Sequence, residues 1–278
     1  MTARRIQIGN WQDRGIDGAL ALWYLVAVLF LFAPIAAAIV YSFNLGVVNK
    51  QTAVLTGWTW QWYPAAWNDL SLRRAVSASL VVSFWAALIS IVLGTLLGYA
   101  IVRHPSPKLR RFLAGFTYML LIVPESVIGV SLLLFFAVTR FPLNTATLVA
   151  GITPMAIAVV ALVIRARVLT LDREVEEAAA DLGSTRVQAL WLVVLPQVAP
   201  AVAVGGVMAY TFCFDNLVVS AFLTTARINT LPVYLYGSLQ YGPSPAVYAA
   251  AATVFVFTML LLGLGLVIYG FTRRPAAA

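Results

Sequence analysis

Two carboxyl side chains, Glu125 and Asp215, lie within long apolar stretches of this sequence. An ionisable group at membrane depth costs free energy and by default indicates a functional site. Counted from the inner ends of the segments that hold them, Glu125 lies about 20 Å deep and Asp215 about 24 Å deep. Facing one cavity, the two would form an acidic ring suited to the passage of cations. The alternative interpretation is that each is protonated, or buried and paired with a neutral partner.

Most other acidic residues are concentrated in one place. The chain has ten, and five lie between positions 172 and 181: Asp172, Glu174, Glu176, Glu177 and Asp181. In the stretch EVEEAAADLG (174–183), small and apolar residues recur with the spacing of one helical face. Acidic residues favour the start of a helix and glycine favours its end, so the pattern predicts a short helix that stops at Gly183.

A second helix is predicted directly after this one. Thr185 and Gln188 have the spacing of a capping box, and apolar residues from Val187 to Leu195 form a single stripe. Pro196 marks the change into the next apolar segment. Periodicity alone leaves open whether this helical hairpin docks a partner or is an ordinary solvated surface.

Other groups that carry chemistry are scarce. Cys213 is the single cysteine and cannot form an internal disulfide, and His104 is the single histidine and cannot build a zinc site unaided. The sequence contains no G-x-x-x-x-G-K-[ST], no G-x-S-x-G and no H-E-x-x-H motif. We therefore expect a chain that is not an enzyme and that binds no metal or cofactor itself.

These residues must be positioned by membrane-spanning helices. The chain is 62% hydrophobic, with a mean hydropathy of +0.92. Each of its six apolar segments has the roughly 20 residues needed to cross a bilayer. The sequence predicts an all-α membrane protein, one transmembrane domain over residues 1–278. The predicted spans lie near residues 19–42, 77–101, 112–138, 147–169, 197–222 and 247–270.

Basic residues set the predicted orientation. Thirteen of the 18 lysines and arginines precede the first segment, follow the sixth, or lie in or beside the connections after the second and fourth. Such clusters favour the cytoplasmic side, so both termini and the loop at 170–196 are predicted there. Clusters between apolar runs also argue against nucleic-acid binding, despite the net charge of +8. The first segment is long for a cleaved signal peptide, which favours an uncleaved anchor.

Three further features concern the surroundings of the spans. The first outer loop, GWTWQWYPAAWND (57–69), holds four of the eight tryptophans. It fits an interfacial aromatic belt, or a cation-binding surface with Trp62 and Tyr63 on the substrate pathway. Gly94 and Gly98 form a G-x-x-x-G pair that permits close helix packing. Pro124 and Pro154 are predicted to interrupt the third and fourth segments.

The acidic hairpin resembles the EAA loop of ABC-importer membrane subunits. The family pattern E-A-A-x3-G-x9-I-x-L-P is matched at every fixed position, with Val193 in place of isoleucine. The resemblance implies a type I ABC importer permease with a coupling-helix loop between its fourth and fifth transmembrane helices. The residues that it assigns to docking on an ATPase subunit are Glu177, Ala178, Ala179, Asp181, Gly183, Leu195 and Pro196.

The same resemblance implies an assembly in the cell inner or plasma membrane. Expected partners are a second homologous permease, two copies of a cytoplasmic ATPase subunit that binds ATP and Mg, and an extracytoplasmic substrate-binding protein. The surrounding lipid membrane is a further partner. Hydrolysis would take place in the ATPase subunits, which agrees with the missing phosphate-binding loop.

A narrower resemblance concerns the cargo. The stretches FDNLVVSAFLT (214–224), TLPVYLY (230–236), LIVPESVIGVSLL (121–133) and GPSPAVYAAAAT (242–253) look like spermidine/putrescine permeases, and so does 57–67. These permeases have an acidic residue at the position of Asp215. The resemblance implies polyamine transport, with ferric iron, thiamine or phosphonate importers as alternatives. A secondary transporter that relays ions through Glu125 and Asp215, and an intramembrane hydrolase with this acid pair, are the alternatives outside the family.

Overall fold

A computed structural model describes the backbone of residues 12–47, 50–225, 227–240 and 242–272. It also describes their side chains, apart from those of 12–19, 186, 257, 258 and 261–272. The described chain is helical throughout its regular structure, and within it β-pairing is limited to isolated bridges such as Asn44 with Trp58. This agrees with the predicted all-α membrane protein.

Twelve α-helices and one π-helical turn follow one another in the described residues. The first six are α1 (Gln12–Ser42), α2 (Trp62–Asn68), α3 (Leu70–Arg103), α4 (Pro107–Ile122), α5 (Glu125–Val138) and α6 (Thr145–Leu169). The remainder are α7 (Glu174–Asp181), α8 (Arg186–Ala189), the π-helical turn (Leu190–Val194), α9 (Leu195–Phe214), α10 (Val218–Leu223), α11 (Leu231–Gln240) and α12 (Pro245–Thr272).

Four helical stretches in the described chain are long and apolar enough to cross a membrane. They are Leu20–Ser42, Leu70–Arg103, Thr145–Leu169 and Val187–Phe214. The bent pair α4 and α5 makes a fifth if it forms one span. The predicted sixth segment is helical as α12, and the apolar stretch Pro245–Val256 within it is shorter than the other four. The count of six spans therefore stays a prediction.

Two predicted spans are not continuous helices. The segment 112–138 is bent by 94° between α4 and α5, at Val123 and Pro124. Proline lacks an N–H and restricts the residue before it to extended backbone, which ends α4. The segment 197–222 stops at Phe214 and resumes as α10. The interruption predicted at Pro124 is therefore confirmed. The prediction of one continuous span over 197–222 needs correction, because hydropathy alone does not detect the end of one helix and the start of another.

The predicted interruption at Pro154 is also wrong. Pro154 lies inside α6, which continues from Thr145 to Leu169. Of the candidate spans, α6 is the most buried. Neighbouring helices can satisfy the carbonyl group that a proline leaves free, so a packed transmembrane helix tolerates it.

The chain folds as two compact units. In the unit formed by residues 70–237, α3, α6 and α9 pack around a core that includes Leu148, Ile152 and Val160. A Cβ added to Gly94 would lie 2.6 Å from Val160 Cβ, and one added to Gly98 would lie 2.6 Å from the Ala161 carbonyl oxygen. The predicted close packing at this glycine pair is confirmed.

The other unit consists of residues 1–69 and 238–278. In its described part, α12 packs on α1 and α2, and the rings of Tyr41 and Tyr248 lie 6.3 Å apart. The outward face of α1 carries large exposed apolar side chains, among them Trp23 and Phe30. A lipid-facing helix has this character, since hydrocarbon solvates such side chains. The single domain predicted over 1–278 stays a prediction.

Candidate functional site

The first helix break positions Glu125. Val123 and Pro124 adopt extended backbone, and α5 starts at Glu125. The carboxyl group therefore lies in the first turn of a helix, where the unpaired N–H groups and the helix dipole favour an acidic side chain. Glu125 is half-buried.

The second break exposes Asp215 and buries its neighbour. Asp215 follows the last residue of α9, and its backbone N–H still donates to the Thr211 carbonyl oxygen at 3.0 Å. Its side chain is exposed. Asn216 is only 5% exposed, and its side-chain oxygen accepts from the Ser220 N–H in the first turn of α10.

A hydrogen bond joins the two breaks. Asn216 Nδ2 donates to Glu125 Oε2 at 3.2 Å. Glu125 thus has a neutral partner on another part of the chain, which is one of the two interpretations of the sequence given above. That partner, Asn216, is the residue directly after Asp215. We call this group, Glu125, Asp215 and Asn216, the break site. Sequence reasoning missed Asn216, although a polar residue directly after an acid at the end of an apolar segment is a detectable signal.

Glycines hold the helices of the break site together. A Cβ on Gly129 of α5 would lie 2.5 Å from Phe222 Cδ2 on α10. A Cβ on Gly151 of α6 would lie 2.5 Å from Leu223 Cδ1, also on α10. The missing side chains at these glycines allow α10 to pack closely on α5 and α6.

The break site suits a cation chemically. Discontinuous helices within a membrane present polar backbone together with side chains to a solute. Asp215 supplies an exposed carboxyl group, and one turn of α9 beside it carries the stacked rings of Tyr210 and Phe214, with centroids 6.1 Å apart. Aromatic faces and carboxylates both attract ammonium groups. Within the described residues, no three His, Cys, Asp or Glu side chains are grouped as metal ligands.

The acidic hairpin forms a second candidate site. Helix α7 ends at Asp181, with Leu182 as its C-cap, and the next residue, Gly183, has a φ of +85°. The Ser184 N–H donates to the Ala179 carbonyl and the Gly183 N–H to the Ala180 carbonyl, which together make a Schellman cap. The predicted glycine stop of this helix is confirmed.

The start of the second helix also agrees with the prediction. The Thr185 N–H donates to Gln188 Oε1 at 2.9 Å, and the Gln188 N–H donates to Thr185 Oγ1 at 3.3 Å. This reciprocal pair is the capping box expected from the spacing. Helix α8, the π-helical turn and α9 then follow without a gap, so the hairpin leads directly into a long helix.

The hairpin exposes a mixed surface. Of the predicted docking residues, Glu177, Ala178, Asp181, Gly183 and Pro196 are exposed, Leu195 is half-buried and Ala179 is buried. Apolar side chains are exposed beside them, namely Leu182 at 89%, Val187 at 65% and Trp191 at 61%. Exposed apolar side chains of this kind suit contact with another protein or, for Val187 and Trp191 in the candidate span Val187–Phe214, with lipid.

One acidic residue of the hairpin has a role that sequence reasoning missed. Glu176 Oε1 accepts from Arg103 Nε at 2.7 Å, and Glu176 Oε2 accepts from the Tyr99 hydroxyl at 3.0 Å. Arg103 also donates through Nη2 to the Leu171 carbonyl. The hairpin is therefore attached to the end of α3. The contact of Glu176 with Arg103 and Tyr99 is visible only in the three-dimensional structure.

The remaining two predicted pathway residues, Trp62 and Tyr63, are the first two residues of α2. Trp62 is 8% exposed, and its Nε1–H donates to the Asn44 carbonyl at 2.9 Å. The Tyr63 hydroxyl lies 2.9 Å from Ser42 Oγ. Both side chains thus form hydrogen bonds to residues at or just after the end of α1. Trp58 and Trp60, in contrast, expose 70% and 72% of their surface. Contact of Trp62 and Tyr63 with a substrate stays a prediction.

Comparisons with known proteins give consistent findings. A family profile described as binding-protein-dependent transport system inner membrane component matches residues 90–274. The chain is 32% identical over 247 residues to the putrescine transport system permease protein PotI of Escherichia coli (strain K12), covering 84% of this chain and 85% of that protein. It is 30% identical over 235 residues to the spermidine/putrescine transport system permease protein PotC of the same strain, covering 84% and 87%.

A solved structure has the same fold. A chain of a bacterial ABC transporter involved in the import of the acidic polysaccharide alginate matches with a TM-score of 0.71. The match covers 94% of this chain and 98% of that chain, at 17% sequence identity. Identity this low makes the likeness one of fold alone.

Proposed function

Since this chain belongs to the family of binding-protein-dependent transport system inner membrane components, we propose that it conducts polyamines such as putrescine and spermidine. It is a permease subunit of an ABC importer, an all-helical multi-pass membrane protein with the type I importer permease fold. Its relatives PotI and PotC are permeases and not ATPases. The proposal adds the cargo, the route and the partners.

The observation that carries the polyamine proposal is the break site. Asp215 is exposed at the end of α9, and Asn216 links it to Glu125 at the start of α5. A polyamine is a flexible chain of ammonium groups separated by methylenes. The exposed carboxyl group would bind an ammonium group, and the rings of Tyr210 and Phe214 would contact the methylenes and a second ammonium.

The hairpin formed by α7 and α8 is proposed as the coupling helix. Its exposed apolar residues and acidic first turn offer a surface for a cytoplasmic ATPase subunit. The Schellman cap and the capping box make it rigid, and Glu176 ties it to α3. Rigidity supports the role, because a docking element must pass on displacement instead of absorbing it.

The proposed arrangement in the membrane follows from the charges. The arginines next to the hairpin, and the basic residues at the end of α3 and the start of α4, favour the cytoplasmic side, so both termini would be cytoplasmic. With α12 and the bent pair each counted once, the chain would cross the membrane six times. A second permease, two ATPase subunits that hold ATP and Mg, and an extracytoplasmic binding protein would complete the importer.

The proposal is tested with the complete importer in proteoliposomes. The measurement is ATP hydrolysis and uptake, with putrescine, spermidine, ferric iron, thiamine and a phosphonate each supplied with the binding protein. We expect stimulation by a polyamine and none by the others. Stimulation by one of the other solutes instead would contradict the polyamine assignment and leave the permease role intact. Uptake that persists without ATP would contradict the proposed coupling.

A further inference from the structure

A basic cavity lies at one end of the unit formed by residues 70–237. Its volume is about 460 Å³, and it is an open cleft lined by the end of α3, the start of α4, the end of α6 and the residue before α7. Five arginines line it: Arg103, Arg110, Arg111, Arg165 and Arg173. The cavity belongs neither to the break site nor to the proposed docking surface of the hairpin.

The positive charge in this cavity is largely unbalanced. Among the described residues, Arg103 is the only one of the five with a carboxylate partner, which is Glu176. Like charges that line a low-dielectric cleft repel one another, and together they concentrate anions. The cavity therefore has the electrostatics of an anion site.

Two further arginines, Arg165 and Arg110, are positioned by contacts of their guanidinium groups with neighbouring residues. Arg165 Nη1 donates to the Tyr118 hydroxyl at 2.6 Å, and its guanidinium lies 5.9 Å from the centroid of that ring. Arg110 Nη1 donates to the Val102 carbonyl at 3.2 Å. A guanidinium has five N–H groups, so each of these side chains has further N–H donors that these contacts do not use. Donors that are already positioned bind a ligand at a smaller entropic cost.

We propose that this cavity binds a phosphate group, presented by an anionic phospholipid. Guanidinium groups match phosphate oxygens in a bidentate geometry and remain charged at all relevant pH values. Basic pockets between transmembrane helices at the cytoplasmic surface are known to hold lipid headgroups. The inference rests on the proposed orientation, which puts the cavity at that surface.

The wall of the cavity favours a lipid over free phosphate. Apolar residues from three helices share the lining with the arginines, and one of them, Leu169, is 60% exposed. Free inorganic phosphate would gain nothing from these groups. A phospholipid would place its phosphate among the guanidinium groups and its glycerol and first methylenes against the apolar wall.

The test measures lipid bound to the complete importer in detergent. The complex is equilibrated with equal amounts of phosphatidylglycerol and phosphatidylcholine, and native mass spectrometry counts the lipids that stay bound. The main variant is Arg111→Glu, because Arg111 is an exposed residue of the cavity wall. The matched control is Arg74→Glu, an exposed arginine of α3 outside the cavity. A second arm adds millimolar inorganic phosphate.

We expect the wild type and Arg74→Glu to retain phosphatidylglycerol preferentially, and Arg111→Glu to lower that preference about fivefold or more. Phosphate should leave the retained lipid unchanged. Equal retention by wild type and Arg111→Glu would overturn the site. Displacement of the lipid by inorganic phosphate would contradict the proposal that the bound phosphate group belongs to a phospholipid. Counting bound lipids requires neither transport nor a defined orientation in a membrane. The lipid proposal can therefore fail or hold independently of the proposed polyamine transport.

Discussion

Glu176 and Arg103 form an ion pair with an Nε–Oε1 distance of 2.7 Å, and this pair connects the first turn of α7 to the last turn of α3. The side chains are 19% and 9% exposed, so water screens the pair only partly. Tyr99 binds the other carboxylate oxygen. The hairpin proposed to meet the ATPase is thus attached to the helix that carries Gly94 and Gly98, and through them to the core on α6.

The ion pair can be tested by changing Glu176 to Gln. The amide keeps the size of the side chain but loses the charge, and a hydrogen bond to a charged group is worth about 1.5–3 kcal/mol. We expect amide hydrogen exchange in residues 174–189 to accelerate about tenfold, which corresponds to about 1.4 kcal/mol. Uptake per ATP hydrolysed should fall. Glu174→Gln, an exposed acid in the same turn, is the control and should leave both measurements unchanged. Unchanged exchange in the Glu176 variant would rule out the anchoring role.

The Schellman cap can be tested at Gly183. Its φ of +85° suits glycine, and no atom lies within 4 Å of a Cβ added there, so the effect of a substitution is conformational. Gly183→Val should destabilise the hairpin, because a β-branched residue loses at least about 1–2 kcal/mol in left-handed backbone. ATP hydrolysis should continue while uptake declines. Asparagine tolerates this backbone, so Gly183→Asn should transport nearly as the wild type. Equal behaviour of the two variants would contradict a role for cap geometry.

The break site can be tested at Asp215. Asp215→Asn removes the charge at an exposed position, and the folded complex should assemble normally. If the carboxylate binds one ammonium group, its loss should raise the KM for spermidine about tenfold, which corresponds to roughly 1.4 kcal/mol. Asp215→Glu retains the charge and should be much closer to the wild type. A KM unchanged in Asp215→Asn would exclude this residue from the route.

Glu125 needs a different comparison because it has a structural partner. In Glu125→Gln the amide oxygen can still accept from Asn216 Nδ2, so the link between α5 and α10 should survive. Reduced uptake together with an unchanged thermal unfolding temperature would then report the loss of charge. A lower unfolding temperature together with wild-type KM would assign Glu125 to structure alone.

The glycine contact between α3 and α6 can be tested by Gly98→Val. The new side chain would collide with the Ala161 carbonyl and with Ile164 Cβ, which lies 2.8 Å from the position of an added Cβ. Overpacking of this kind costs about 1–3 kcal/mol. We expect a lower thermal unfolding temperature of the detergent-solubilised complex. Gly115→Val, at a glycine with no atom within 4 Å of an added Cβ, is the control and should cost much less.

Local features of the hairpin were predictable because they depend on neighbours in the chain. The capping box needs only Thr185 and Gln188 at the right spacing, and the helix stop needs only Gly183. Hydropathy likewise located the apolar segments, since it sums composition over a window. These parts of the fold follow from short-range physics.

Features that depend on packing were not predictable in the same way. Pro124 and Pro154 both lie in apolar segments, yet only the first coincides with a break, because α6 is surrounded by other helices. Glu176 pairs with Arg103, which lies more than 70 positions earlier in the chain, and local sequence does not reveal such a contact. Asn216 became part of the site only when α5 and α10 were brought together.

The 94° bend between α4 and α5 has a mechanical consequence. If the two helices are rigidly joined at this angle, a displacement along the axis of one helix becomes a sideways movement of the other. Displacement of α4 along its own axis would carry α5 sideways, together with Glu125 at its first residue. Because Phe222 lies against Gly129 of α5 and Leu223 against Gly151 of α6, these two helices and α10 would move together. A displacement of α4 would thereby reach the helices beside Asp215 as a rigid movement, without any helix having to change length.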